Sequence, residues 1–436
     1  IEALIALTWA AAGVALYENS EALKEALATL GQLYANNGNM EQAMACFQQM
    51  IDKGQVDGYY YMGLAYDAQG DAKTCNKLLA QGEKKGSKMA AESLGIIYMN
   101  GLDDTKVDFK KAAAYFEKSG SAKALYNLSR IYLNGGMGKK GVASEADIAK
   151  GLDYLQQSAD QGFIDAMYTL GCFHETGEYF DTVDHVKAVS YFQPLADNDV
   201  AAGQFKMGLY HELGDGGVEL DSAKAIEYYQ LAADQGHTDA MLYLGDFHRI
   251  GRYLPLDQQK AFALYTQAHE AGNQGATYYV GRSYLEGCGV EVDTLMAMPY
   301  LKDAAAQGVG KACYRVADLY DFGRGGIQAN GDSAVYYYIK GYQAGDADCA
   351  YKVGVLLLAE GNAEMAMQCL GAATKGGNPD GAYTYAYCLQ QGIGVKEAQP
   401  KAAYRIWEQV VARYNQPESY YQLGIASIQG NGCPED

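Results

Sequence analysis

Apolar and aromatic residues recur along the chain at the spacing of paired amphipathic helices. The most regular element is an aromatic residue, a glycine three residues later and another aromatic three residues after that, as in Tyr278, Gly281 and Tyr284. A period between about 20 and 50 residues is typical of a solenoid. The pattern therefore predicts an all-α chain of about twelve helix-turn-helix repeats. The small residue of the pattern, which we call the anchor, stands at Gly31, Gly63, Gly95, Ser129, Gly171, Gly208, Gly245, Gly281, Ala317, Gly354, Ala386 and Gly424.

One repeat shows how the pattern translates into local structure. Helical spacing of apolar residues predicts a first helix, A, over Ala201–Leu213. The glycines of Gly214–Val218 end it, because glycine tolerates the positive φ of a tight turn. Asp221 or Ser222 can cap the second helix, B, by accepting from free backbone N–H groups. Gly236 suits the C-terminal end of helix B.

A glycine inside a helix costs about 1 kcal/mol relative to alanine, so the anchors need a structural reason. We expect it to be close approach of helix B, with a small pair such as Ala232 and Ala233 facing the anchor. We also expect the bulky residue before each anchor to fill the space beside it. Tyr385, before Ala386, departs from that rule. The bulky residues are Leu30, Met62, Leu94, Leu128, Leu170, Met207, Leu244, Val280, Val316, Val353 and Leu423.

The segments Ala240–Phe247, Gly287–Val290 and Lys224–Gly236 follow A-x-x-x-L-G-x-x-Y, G-x-G-V and K-A-x-x-Y-x-x-A-A-x-x-G patterns. They resemble the Sel-one-like repeat (SLR) family, a branch of the tetratricopeptide-repeat superfamily, and the resemblance covers roughly residues 21–430. It implies a right-handed α/α superhelical solenoid, and adaptor roles in the assembly of protein complexes.

Spacing refines the predicted organisation. Three anchor-to-anchor steps, those from Gly31, Gly63 and Gly354, are only 32 residues long and resemble plain tetratricopeptide repeats. We expect an N-terminal helix over residues 1–20, as the end of a preceding repeat, and a solenoid over 21–436 with an incomplete last repeat. A long loop is predicted at 134–147. Both ends look cut, as in a fragment of a longer protein.

The composition of the chain limits the classes of partner that it can bind and the compartments where it can reside. The chain has 436 residues and a net charge of −19, a field that repels phosphate backbones and disfavours nucleic acid as a partner. No apolar stretch reaches the length of a membrane helix, so no direct membrane insertion is expected. The nine cysteines form no C-x-x-C pair, and seven fall at apolar helix positions. This favours a reducing, cytoplasmic compartment, while periplasmic, secreted and lumenal locations stay open.

Candidate chemistry is sparse. His174, His211 and His248 occupy one phase, three residues after their anchors, where other repeats carry tyrosine. Helices about 8–10 Å apart cannot make parallel side chains converge on one metal. We therefore interpret these residues as partly buried histidines between packed helices, and call them the seam histidines. A hypothesis is that their protonation makes the stability of the middle repeats sensitive to pH. No nucleophile, zincin or phosphate-loop pattern is complete, and we predict no enzyme, metal site or cofactor. Cysteine-rich relatives that bind penicillin-like compounds suggest an enzyme, but their regular cysteine pairs are absent.

The aromatic row gives the candidate binding site. Tyrosine lies three residues before the anchor in eight of the twelve repeats. By resemblance to tetratricopeptide arrays, this phase and the residue after the anchor line a concave groove for a protein or extended peptide. Alternatively, these tyrosines only pack between neighbouring A helices. A further alternative is a structural or regulatory segment of a larger assembly, held by its edges or convex face. The predicted groove residues are Tyr168, Phe205, Asp246, Arg249, Tyr278, Arg282, Tyr314, Asp318 and Tyr351.

Overall fold

The computed structural model describes residues 21–102, 105–138 and 141–430. Within these residues it contains 23 α-helices and no β-strand, so the predicted all-α class is confirmed. Contacts group the helices into two compact units. The first comprises the described residues up to Asp199 with Gly214–Glu219, and the second comprises Val200–Leu213 and the described residues from Leu220 onward.

The first unit contains ten helices: α1 Glu21–Asn36, α2 Met40–Asp52, α3 Gly58–Asp67, α4 Ala72–Lys84, α5 Lys88–Asn100, α6 Phe109–Ser119, α7 Ala122–Leu133, α8 Glu145–Asp160, α9 Ile164–Thr176 and α10 His185–Asp197. The second contains thirteen: α11 Ala201–Leu213, α12 Ser222–Asp234, α13 Thr238–Ile250, α14 Gln258–Glu270, α15 Gln274–Glu286, α16 Thr294–Ala306, α17 Gly310–Phe322, α18 Gly331–Gln343, α19 Ala347–Ala359, α20 Ala363–Lys375, α21 Pro379–Gln391, α22 Pro400–Tyr414 and α23 Pro417–Gln429. Odd-numbered helices are A helices and even-numbered helices are B helices.

Within each unit, every helix packs against its neighbours in chain order. A second kind of contact joins A helices of consecutive repeats, as between α1 and α3, α3 and α5, α17 and α19, and α19 and α21. The A helices therefore form one layer of each unit and the B helices the other. This arrangement places side chains from consecutive A helices on a shared surface.

The anchor glycine faces a bulky B-helix residue, and our expectation of a small facing pair is wrong. A methyl group built at Gly208 would lie 2.6 Å from the ring of Tyr229, and one at Gly171 would lie 2.5 Å from the ring of Phe192. Both rings are fully buried. Only a residue without a side chain lets the ring lie this close to the backbone of helix A.

The small B-helix residues have another role. Ala232 lies three residues after the ring of Tyr229 and is fully buried. At the equivalent position of α4, a methyl group on Gly82 would lie 2.9 Å from Cβ of Tyr59 in α3 and 3.1 Å from Cβ of Ala90 in α5. The small residue thus admits the A helix of its own repeat and that of the following repeat. The bulky residues before the anchors are buried from Leu30 to Val353, as predicted, whereas Leu423 and Tyr385 are half-buried.

Helix ends follow the sequence rules closely. Helix α11 spans the predicted Ala201–Leu213, and Asp221, rather than Ser222, caps α12 by accepting from the backbone N–H groups of Ala223 and Lys224 at 3.0 Å. Ser144 and Asp147 form a capping box at the start of α8. Since α8 begins at Glu145, the last three residues of the loop predicted at 134–147 are helical.

The glycine-rich loops of the longer repeats contact the preceding repeat. A Cβ at Gly289 would overlap the backbone carbonyl of Gln258, at the start of α14, and φ at this glycine is +75°. A Cβ at Gly325, where φ is +59°, would overlap the side chain of Thr294 at the start of α16. The second glycine of the G-x-G motif is therefore required by both backbone conformation and close approach.

Some sequence predictions lie outside the described residues. These are the N-terminal helix over 1–20, Cys433, and residues 139–140 of the long loop. Helix α23, the A helix of the last repeat, is the final described helix. The solenoid boundaries 21–436 and the incomplete last repeat stay predictions.

Candidate protein-binding surface

Three consecutive A helices of the second unit enclose a cavity of about 270 Å³. Helix α15 contributes Tyr278 and Arg282, and α17 contributes Lys311, Tyr314 and Arg315. The start of α19 closes it with Asp346 and Asp348. We call this site the A-face cavity. It brings together three of the predicted groove residues, namely Tyr278, Arg282 and Tyr314.

One wall of the A-face cavity is cationic. Arg282 donates through Nε to Glu286 at 2.8 Å, and Arg315 donates through Nη2 to the same carboxylate at 3.0 Å. A shared carboxylate fixes both guanidinium groups while leaving N–H donors available. Lys311 is exposed, and its ammonium group has no hydrogen-bond or ion-pair partner among the described residues. Three positive groups thus lie on one wall in a chain of net charge −19.

The opposite wall is acidic. Asp346 caps α19 by accepting from the backbone N–H of Cys349 at 2.9 Å. Asp348 accepts from the Nδ2 amide of Asn378 at 2.6 Å. Each carboxylate therefore keeps an oxygen that these bonds do not use. The cavity can receive a segment that carries both an acceptor for the cations and a donor for the carboxylates.

The two tyrosines support the cavity differently. Tyr278 is 7% exposed and packs edge-on against Tyr279. Tyr314 is half-buried, with its ring centroid 6.0 Å from that of Tyr338 in α18. Burial, followed by the charges of Asp318 and Asp348, raises the pKa of the Tyr314 hydroxyl above its ordinary value. Tyr314 is therefore a neutral hydroxyl at physiological pH, able to donate or accept.

The cavity occupies a break in a ladder of hydrogen bonds between A helices. At three junctions of the second unit, the cap residue of one A helix donates to an acid of the preceding A helix. Asn273 donates to Asp239 at 2.8 Å, and Gln416 donates to Asp380 at 2.8 Å. At α17 the cap position is Val309, which makes no side-chain cap bond.

The residues on either side of this break also depart from the ladder. The acid of the ladder is the second residue of the preceding A helix. In α15 that position holds Gly275, so the cap of α17 has no acid to reach. In α17 it holds Lys311, which takes the place of the acid opposite the cap residue Asp346. The missing links leave Lys311 and Asp346 without such a bond, whereas Asp348 takes part in the next link by accepting from Asn378. This local exception distinguishes the site from the equivalent surface of neighbouring repeats.

Two predicted groove residues are engaged inside their own repeat. Asp246 accepts from the Tyr265 hydroxyl at 2.9 Å and from Nε of Arg249 at 2.8 Å. Burial, then the Asp246 carboxylate, raises the pKa of Tyr265 above its ordinary range. Asp246 therefore holds the buried ring over the anchor Gly245, and Arg249 neutralises it. Neither side chain lines the A-face cavity.

The remaining predicted residues lie outside the cavity as well. Phe205 is 8% exposed and stacks on His237 with centroids 4.6 Å apart. Asp318 forms an ion pair with Arg324 at 3.6 Å. Tyr168 packs on Phe192, 5.7 Å between centroids, in the first unit, and Tyr351 is half-buried on α19. Tyrosines of the row thus pack against B-helix rings while several keep an exposed edge, so the two interpretations of the row overlap.

Sequence reasoning missed Lys311, Arg315, Asp346 and Asp348. A signal was present in the sequence. Lys311 and Arg315 lie six and two residues before the anchor Ala317, on the helical face that carries Tyr314. Asp346 and Asp348 occupy the cap and first turn of the next A helix. Only the packing of α19 beside α17 in the structure places the two cations opposite the two carboxylates.

The seam histidines are buried, as the sequence suggested. His174 is 5% exposed and lies parallel to Phe180, 4.2 Å between ring centroids, while His248 has Nδ1 3.1 Å from the Pro255 carbonyl oxygen. Cysteines at apolar helix positions are buried except the half-buried Cys172, and the loop residue Cys288 is buried too. Within the described ranges, no cluster of three or more His, Cys, Asp or Glu side chains could hold a metal ion.

The repeats, layers and packed seams define a tetratricopeptide-like helical-repeat protein. The sequence profile of the Sel1 repeat matches residues 88–123, 122–163, 164–200, 201–237, 238–273, 275–309, 310–346 and 379–409. These matches cover more than half of the chain, which therefore belongs to the Sel1 repeat family. Proteins with this fold generally serve as scaffolds for protein–protein interaction. Among the described residues, no helix is long and apolar enough to cross a membrane.

Among the solved structures that are similar to the chain, two share most of its length. One is c5321, a protective antigen of uropathogenic Escherichia coli with an SLR fold, at 23% identity and a TM-score of 0.62 over 90% of this chain and 84% of that one. The other is a Sel1 repeat protein from Oxalobacter formigenes, at 26% identity and a TM-score of 0.54 over 72% of this chain and 90% of that one. No curated protein matches the chain in sequence.

Proposed function

We propose that the chain is a non-enzymatic scaffold that binds a partner protein or an extended peptide on the A-helix layer of its second unit. The A-face cavity supports this proposal, because it unites two aromatic rings with charged groups of both signs. Aromatic rings supply contact area at low entropic cost, and paired charges supply register and orientation. The family and the fold agree with the class of function, while the face and the residues are our inference.

The two walls of the A-face cavity specify the bound segment. An acidic side chain or carbonyl would accept from Arg282, Lys311 and Arg315, and a basic side chain or backbone N–H would donate to Asp346 and Asp348. Since Glu286 already pairs with both arginines, neither sign of charge dominates. The cavity therefore favours a segment with an acidic and a basic residue close together over a segment of one sign.

Site-specific photo-crosslinking tests the face used. Lys311 on α17 and Lys401 on α22 are both exposed lysines, the first at the A-face cavity and the second on a B helix. Each is replaced in turn by benzoylphenylalanine, the chain is exposed to extract from its native source, and crosslinked partners are identified by mass spectrometry. We expect a defined partner to crosslink from position 311 and not from position 401. Crosslinks from position 401 alone would favour the alternative, a segment of an assembly held by its outer face.

Charge reversal then tests the cavity itself. The double variant Lys311→Glu/Arg315→Glu should weaken capture of the identified partner by about tenfold or more, because it turns one wall against the acidic group of the partner. The matched control Lys401→Glu changes charge in the same sense on a B helix. Equal retention of the partner by the double variant and the control would remove the A-face cavity from the binding site.

A further inference from the structure

A row of exposed aliphatic residues follows the loops between A and B helices in the second unit. Leu220, Leu256 and Val292 are 69%, 64% and 64% exposed. Each directly precedes the aspartate that caps the next B helix, namely Asp221, Asp257 and Asp293. An aliphatic residue at this position can staple the helix start to the fourth helical residue. Here the fourth residue is a fully buried alanine, such as Ala261 or Ala297, and the staple covers only part of the side chain.

An open cavity of about 820 Å³ connects two of these loops. One side is formed by Leu256 to Gln259 and the other by Gly287, Gly289, Val290 and Glu291. The approach of Gly289 to the Gln258 carbonyl sets the floor, because no side chain fits between them. We call this site, with Val292, the loop-edge cavity. It shares no residue with the A-face cavity.

The lining of the loop-edge cavity limits what can occupy it. Its apolar groups are Leu256 and Val290, and its charged groups are Asp257 and Glu291, with no lysine or arginine among the lining residues. Asp257 uses one oxygen to accept from the backbone N–H of Lys260 at 2.9 Å and keeps the other. The cavity thus combines an apolar wall with a negative rim in a chain of net charge −19.

We propose that the loop-edge cavity is a second protein-binding site, which takes a segment with an aliphatic side chain flanked by lysine or arginine. The aliphatic group covers Leu256 and Val290 and removes apolar surface from water. The flanking cations pair with Asp257 and Glu291, and the negative field of the chain steers them toward the rim. An acidic segment would meet repulsion at both carboxylates. This site works independently of binding on the A-helix layer.

Three labelled synthetic peptides test the proposal by fluorescence anisotropy. The first has a leucine between pairs of lysines, the second replaces that leucine by serine, and the third replaces the lysines by glutamates. We expect only the first to bind with saturation. Leu256→Ser should weaken it by about tenfold or more, since burying a leucine side chain contributes at least that factor. Glu291→Lys should weaken it as well, through the lost pairing and the added repulsion.

The controls separate this site from general attraction between a basic peptide and an acidic chain. Ile428 on α23 is 88% exposed, so Ile428→Ser removes an aliphatic group of the same kind elsewhere. It should leave the affinity unchanged, and thermal unfolding should show that all variants fold. Equal binding of the serine peptide, or no effect of Leu256→Ser, would overturn the proposal. So would a dimer of the unliganded chain in sedimentation that Leu256→Ser abolishes, which would assign the edge to a second copy.

Discussion

Short and long repeats of this chain share an anchor but differ in how their loops contact the neighbouring repeat. In the short repeats, the turn glycines Gly38, Gly70 and Gly361 have positive φ and face open space. In the long repeats, Gly289 and Gly325 press against the start of the preceding B helix. The additional loop residues of a long repeat therefore build a second contact between repeats, beside the packing of the helices.

The family comparison follows the same division. The Sel1 profile leaves out residues 21–87 and 347–378, which contain the short-step anchors Gly31, Gly63 and Gly354. The loop contact is thus part of what distinguishes a Sel1 repeat from a plain helical hairpin. It also has a consequence for function, because the loop-edge cavity lies between two such loops. A short turn leaves no loop of this length to form its walls.

The largest effect should come from adding a methyl group at a loop contact. Gly289→Ala places Cβ against the Gln258 carbonyl and also forces a positive φ on alanine, whereas Gly361→Ala meets only the second cost. The positive φ costs about 1–2 kcal/mol, and overpacking adds about 1–3 kcal/mol. Urea unfolding should therefore show a clearly larger loss for Gly289→Ala.

Hydrogen exchange locates that loss, because repeat arrays can open locally. We expect faster amide exchange in α14 and α15 for Gly289→Ala, and in α19 and α20 for Gly361→Ala. Similar free energies of unfolding for the two variants would show that the loop contact contributes little, and the comparison between short and long repeats would lose its energetic basis.

A smaller effect is expected at the anchors. Gly171→Ala would push a methyl group to 2.5 Å from the Phe192 ring, whereas Gly63→Ala would meet Leu79 at an ordinary 3.4 Å. We expect Gly171→Ala to destabilise the first unit by about 1–3 kcal/mol. Gly63→Ala should instead be neutral or stabilise it by up to about 1 kcal/mol, because alanine favours the helix.

A third anchor variant identifies the cause. Gly31 belongs to a short repeat but faces the ring of Phe47. If the facing ring determines the cost, Gly31→Ala will resemble Gly171→Ala in thermal unfolding. If repeat length determines it, Gly31→Ala will resemble Gly63→Ala, and the structural explanation of the anchors would need revision.

Much of the fold could be predicted because its signals are local. The period, the span of α11, the cap at Asp221 and the glycine turns all depend on residues close in sequence. The residue that faces each anchor could not be predicted in this way. Phe47 follows Gly31 by 16 residues and Phe192 follows Gly171 by 21, since the loop length changes between them. The facing residue therefore has no fixed distance from its anchor, although Phe47 and Phe192 are both the eighth residue of their B helices.

The candidate site was predicted only in part for a related reason. Tyr278, Arg282 and Tyr314 belong to phases that repeat, so their position on one surface could be inferred. Lys311 and Asp346 matter because they interrupt the pattern of cap-to-acid bonds seen at Asn273 and Gln416. An inference from the repeat period describes an average repeat, so it overlooks such exceptions. The residues that distinguish the proposed binding site therefore lie where the repeats differ.

The smallest expected effect concerns pH and contrasts repeats that carry different residues three positions after the anchor. Short repeats carry Tyr34 and Tyr66 there and long repeats carry Tyr132 and Tyr284, whereas one long repeat carries His174. Burial between Phe180 and Tyr191, with a smaller contribution from Lys187, lowers the pKa of His174 below its ordinary 6.5, and Asp184 opposes this shift. The unfolded chain therefore takes up a proton more readily than the folded chain. The stability linked to His174 is full above pH 6.5 and is lost as the pH falls below that value.

His174→Tyr isolates this contribution, because tyrosine is the residue that both short and long repeats place at the same phase. Thermal unfolding of both proteins between pH 7.5 and about 5 should show a smaller acid-induced drop in Tm for the variant. His237, whose pKa burial also lowers, is present in both proteins and cancels in the difference. Identical drops would mean that protonation of His174 costs the folded state nothing.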